Sequence, residues 1–143
     1  MRLDLYQTET ERLACEQASM LEVARDKLLR KEPLTALERS GALHALQILI
    51  ENAIGKAKHL VKAAGEPVPV SAYDAFASLA QMGTISVEQA KQWNSAIGMR
   101  NRIVHEYMNL NMELILHWVK TERYLFIVDF LKKKMDVNPN HHD

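Results

Sequence analysis

Leu43, Leu46, Ile50, Ile54, Ala57 and Val61 follow one another at steps of three or four residues. On an α-helix that spacing gathers them on one face, so this segment has an apolar side to bury against other elements. Its start is written locally. Thr35-Ala36-Leu37-Glu38 fits a capping box, with the Thr35 hydroxyl on a free backbone N–H and Glu38 reaching back to the cap. Gly65 is well placed to end the helix after about Ala64, and Pro67 and Pro69 make the following stretch an extended linker.

The rest of the chain reads the same way. Its 5 glycines and 4 prolines lie apart, and no strand-like alternation interrupts the helical pattern. A first helix is expected from about Asp4 to Arg30, set off by Pro33. Ser71 can cap a short third helix from Ala72 to about Gln81. Ser86-Val87-Glu88-Gln89 is a second capping box and opens a fourth helix ending around His105. A last helix is expected from about Asn111 to Lys133, with Lys132, Lys133 and Lys134 at the negative end of its dipole. The fold class is therefore all-α, an antiparallel bundle of about five helices. We expect a single domain over residues 1–135 and a flexible C-terminal tail over 136–143.

Composition narrows the function. With 48% hydrophobic and 25% charged residues, 143 residues can build a core without staples. No apolar run approaches the roughly 20 residues needed to cross a bilayer, so no membrane partner is expected. Met1 to Gln7 lacks the apolar stretch of a secretory signal, and a cytoplasmic location is the default expectation. The single Cys15 can form neither an internal disulfide nor a cysteine-based metal site. The 18 basic and 18 acidic residues cancel, which argues against tight, general nucleic-acid binding. Their distribution is uneven, however. No acidic residue lies between Glu88 and Glu106, where Lys91, Arg100 and Arg102 occur, or between Glu51 and Glu66, where Lys56, Lys58 and Lys62 occur. Such stretches either face a polyanion or are solvated helix faces balanced elsewhere.

Several chemistries are excluded. There is no Gly-rich phosphate loop, no Glu-x-x-His pair for a di-iron bundle and no Gly-x-Ser-x-Gly elbow. No cofactor is expected. His44, His59 and His117 read as surface or core-edge residues, and the adjacent His141 and His142 make at most a weak metal site. His105 differs in its neighbours. Arg100-x4-His105-x-Tyr107 sets a permanent cation, a titratable imidazole and a phenol within eight residues. Histidine can move protons near neutrality, and arginine offers a fork of donors to phosphate oxygens. RNA cleavage needs both, and needs no metal. Asn101 could orient the imidazole or hold the phosphate. An arginine, an asparagine and a histidine at a helix end also make an ordinary polar cap, and the residue types alone leave both readings open.

The spacing adds a condition. On an unbroken helix residues five apart stand about 140° around the axis and about 7.5 Å along it. Arg100 and His105 therefore converge only if the helix bends or ends near Ile103 or Val104, or if the two line a groove shared with a second subunit.

Ser95 to Tyr107, with Arg100-Asn101 and His105-x-Tyr107 at its heart, resembles the Arg-x4-6-His signature of the HEPN superfamily. The tyrosine two residues after the histidine is similar to the HepT toxin branch, as are the long second helix from Arg39 through Ala57, the Pro67/Pro69 linker and Tyr73. The resemblance covers about residues 1–135. It implies the toxin of a type VII toxin–antitoxin system, a metal-independent endoribonuclease acting on tRNA or mRNA as a homodimer. Arg100 and His105 would be its catalytic pair, with Asn101 supporting. It also implies an MNT-type nucleotidyltransferase antitoxin (MntA) as partner in a hetero-oligomer, transferring AMP to Tyr107 and so blocking the site. The competing function is a non-catalytic helical adaptor, a nucleotide-binding subunit of a nucleotidyltransferase complex.

Overall fold

The computed structural model describes residues 3–135. Six α-helices and no strand occur among them: α1 Leu3–Leu29, α2 Ala36–Ala63, α3 Ala72–Gln81, α4 Val87–His105, α5 Met112–Lys120 and α6 Leu125–Lys132. The expected all-α bundle is borne out. The expected tail over 136–143, with His141 and His142, lies outside the described residues.

Both capping boxes form. Thr35 Oγ1 accepts from the Glu38 N–H at 3.1 Å while Glu38 Oε1 accepts from the Thr35 N–H at 2.8 Å, and Ser86 and Gln89 repeat the exchange. Each cap satisfies backbone donors that a helix start otherwise leaves open. α2 is the central element and packs against α1, α3, α4 and α6. Its Ala45, Leu46, Leu49, Ile50, Ala53 and Ala57 are fully buried, the residues a helix surrounded by neighbours must make apolar.

Aromatic packing joins three other helices at one end. Phe76 of α3 stacks on Trp93 of α4 at 4.3 Å between ring centres, and the edges of Phe126 and Phe130 of α6 meet Trp93 at 4.9 Å each. Lys56 of α2 reaches into the same region. Its side chain is 2% exposed. Its ammonium donates to the carbonyls of Phe130 at 2.7 Å, Leu131 at 3.4 Å and Lys133. One buried lysine thereby satisfies carbonyls at the end of α6 that have no helical partner.

The single last helix expected from Asn111 to Lys133 is divided. Glu122 adopts a positive φ of 58°, the Arg123 N–H donates to the Trp118 carbonyl at 3.0 Å, and the Glu122 N–H donates to Val119 at 3.2 Å. This is a Schellman-type stop. Arg25 of α1 braces it, with Nε on the Lys120 carbonyl at 2.9 Å and the guanidinium 3.5 Å from Glu122.

Candidate active site

α4 carries the motif. Its Trp93, Ala96, Ile97, Met99 and Ile103 are buried against the bundle, which fixes the rotation of the helix and hence where the polar residues point. Arg100 and Asn101 are half-buried, and Arg102, Val104 and His105 are exposed. The helix runs unbroken through His105, and the Glu106 N–H closes its last turn on the Arg102 carbonyl at 2.9 Å. A single 3-10 turn, Tyr107–Asn109, follows, and Asn111 then caps α5 through the Leu114 N–H at 3.2 Å.

The helix stays regular through Ile103 and Val104 and ends at His105, so no bend at those two residues turns Arg100 and His105 toward each other. Ile103 is buried and helical, and its packing holds the turn regular. Within one chain the two side chains stay about 140° apart around the axis.

Arg100 is partly restrained. Its Nε donates to Asn101 Oδ1 at 2.9 Å, and its Nη1 lies 3.9 Å from Glu51 Oε2 on α2. Glu51 in turn accepts from Gln47 Nε2 at 3.2 Å. These contacts orient the guanidinium and leave most of its five donors open. Asn101 thus holds the guanidinium of its neighbour rather than the imidazole. His105 makes no hydrogen bond or ion pair among the described residues.

Sequence reasoning missed Glu51 and Gln47. Their signal was present, an i,i+4 polar pair interrupting a helix that is otherwise largely apolar, but only the α2–α4 packing reveals which cation they face. The other histidines stay out of the site. His59 packs on Tyr6 with ring centres 4.3 Å apart, and His44 and His117 are exposed. Among the described residues no group of three or more His, Cys, Asp or Glu side chains could hold a metal ion, and no helix is long and apolar enough to cross a membrane.

A family model described as ribonuclease HepT-like matches residues 15–133, a span that includes Arg100, His105 and Tyr107. The chain belongs to the HepT-like family. The HepT-like chain is 30% identical over 89 residues to the mRNA nuclease HepT of Shewanella oneidensis, covering 61% of this chain and 67% of that protein. It is 32% identical over 103 residues to a provisionally named RNase of Archaeoglobus fulgidus, covering 72% of this chain and 76% of that protein. Its fold is similar to a tri-AMPylated Shewanella oneidensis HEPN toxin solved in complex with MNT antitoxin. The TM-score is 0.61 at 22% identity, over 84% of this chain and 96% of that one. The HepT-like resemblance read from the Arg100–Tyr107 stretch is borne out at the level of family and fold.

Proposed function

We propose that this HepT-like chain is the toxin of a type VII HEPN/MNT toxin–antitoxin pair and a metal-independent endoribonuclease. The observation that carries the reading is the position of His105, an exposed and unengaged imidazole closing α4, one and a half turns beyond an arginine held ready by Asn101 and Glu51. His105 takes the proton from a ribose 2′-OH, the freed 2′-oxygen attacks the adjacent phosphorus, and the bond to the 5′-oxygen breaks. A protonated imidazole returns a proton to that leaving oxygen. Arg100 carries the charge that builds on the phosphate oxygens.

A homodimer supplies the geometry that one chain lacks. The face of α4 midway between Arg100 and His105 holds Asn101 and Val104, and Val104 is 36% exposed with Met108, 81% exposed, in the turn beyond. Apolar side chains there suit contact with a second copy, which would bring the Arg100 of one chain toward the His105 of the other. Family membership and the tri-AMPylated fold relative also support an MNT-type antitoxin as partner, with Tyr107 as the residue it modifies. AMP phosphates next to Arg100 would repel the RNA backbone.

The test is RNA cleavage by purified protein in excess chelator, beside His105→Ala and Arg100→Ala. The wild type should cleave and both variants should lose most activity. Equal activity in all three contradicts the proposal and leaves the adaptor function. For Tyr107, intact mass after co-expression with an MNT-type nucleotidyltransferase should show added AMP units that Tyr107→Phe lacks. An unmodified wild-type mass would count against it.

A further inference from the structure

Arg12 pairs with Glu9 and Glu16, Arg25 with Glu122, Arg30 with Glu32 and Arg100 with Glu51, while Arg39 donates to the Leu34 carbonyl. Among the described residues, two arginines remain whose guanidinium makes no hydrogen bond or ion pair. These are Arg102 and Arg123, and both line one cleft of about 330 Å³ between α4 and α5. The other lining residues include Asn94, Ser95, Gly98 and Trp118, and none is acidic.

The cleft adjoins His105. Arg102 lies one turn before it, about 60° around the axis and about 4.5 Å along it, so the two share the outer face of α4 that Arg100 does not. Arg123 arrives from the other wall because the chain breaks at Glu122. Its guanidinium lies over the Trp118 ring, 5.0 Å from the centroid. The ring holds the cation in place by cation–π attraction and takes none of its hydrogen-bond donors. The acid beside it in sequence, Glu122, is held by Arg25. Two unneutralised guanidinium groups, with Asn94 and Ser95 as neutral partners, make a place for a phosphodiester.

We propose that this cleft binds a backbone phosphate of the RNA through Arg102 and Arg123, next to the scissile position at His105. The identity of the ligand rests on the nuclease function proposed above. Arg102 and Arg123 position the strand and take no part in bond making, so their loss raises KM and leaves kcat unchanged.

The experiment is fluorescence anisotropy of a labelled single-stranded RNA oligonucleotide over a series of salt concentrations, with cleavage kinetics on the same proteins. Wild type, Arg102→Gln, Arg123→Gln, the double variant and Arg30→Gln are compared, each checked by its thermal transition. Removing one arginine–phosphate pair should flatten the slope of log affinity against log salt by about 0.7, so by about 1.4 in the double variant. Arg30→Gln should match wild type. Arg102 is exposed, so its variant remains informative if Arg123→Gln loses stability. A double variant with wild-type slope and KM overturns the cleft while leaving the nuclease standing. RNA binding that depends on both arginines without cleavage keeps the cleft and removes the nuclease. A wild type that binds no RNA overturns both.

Discussion

Lys56 and the Arg100–His105 region show two opposite uses of charge in one bundle. Lys56 is buried, and its ammonium meets the carbonyls of Phe130, Leu131 and Lys133. At the other site His105 has no polar partner among the described residues, and the ion pair of Arg100 with Glu51 is long, at 3.9 Å. A saturated cation holds backbone in place, because any movement would take this donor from the Phe130 and Lys133 carbonyls, while the Leu131 carbonyl keeps the Gln7 amide at 3.0 Å. An unsaturated cation at a surface has spare donors for a ligand. The contrast separates residues that maintain the fold from residues available for chemistry.

Changing His105 should have the largest effect. Removal of a general acid–base group costs about 100- to 10,000-fold in rate, so His105→Ala should cleave RNA in single turnover slower by that factor. Its denaturation midpoint should stay unchanged, since the ring makes no hydrogen bond or ion pair that holds the fold. A matching drop in stability would show that His105 holds the fold as well. Arg100→Ala should lose about 100- to 1,000-fold in kcat, the scale of one lost donor to a developing oxyanion.

Lys56→Ala should show the reverse pattern. It takes the donor from the Phe130 and Lys133 carbonyls at the end of α6 and should lower stability by about 3 kcal/mol in urea unfolding. The specific activity of the remaining folded protein should be unaltered. Lys56 should also make stability depend on pH. Burial pushes the Lys56 ammonium from its ordinary 10.5 down to about 8, a fall that nearby Glu11 opposes and Lys133 assists. Between those values the unfolded chain holds the proton and the folded chain does not, so stability rises with pH through this window. That rise should vanish in Lys56→Met. A smaller change is expected from Glu51→Gln, which frees Arg100 from its one carboxylate and should alter kcat/KM by a few-fold with little effect on stability.

Much of the fold was legible because its signals are local. The two capping boxes mark the starts of α2 and α4, and Gly65 and Gly83 take the positive φ values of 81° and 80° that follow the ends of α2 and α3. The division between α5 and α6 was not legible. There the left-handed residue is Glu122, as Lys31 is after α1, and a non-glycine in that conformation leaves no mark in composition. Tertiary contacts select it, since Arg25 caps Lys120 and holds Glu122 from a helix nearly 100 residues earlier.

The site was legible in its residue types and not in its geometry. The Arg100–His105 spacing already required either a yielding helix or a second subunit. Buried Ile103 keeps α4 regular at that point, and its burial depends on how α4 meets the rest of the bundle. The role of Asn101 was likewise open, because an i,i+1 bond to Arg100 depends on rotamers that Glu51 on α2 helps to select. Nothing in the sequence marks Arg123, which enters the cleft only through the turn at Glu122.

In the proposed dimer, the Arg100–His105 centre is built from two chains and one chain alone does not assemble it. Mixing Arg100→Ala and His105→Ala proteins under conditions of subunit exchange tests it directly. Each is inactive by itself, but a mixed dimer would regain one intact centre, built from the Arg100 of one chain and the His105 of the other. With half the dimers mixed and one centre of two restored in each, cleavage should return to about a quarter of the wild-type level. A mixture as inactive as its components, with subunit exchange verified by native mass, would contradict the account.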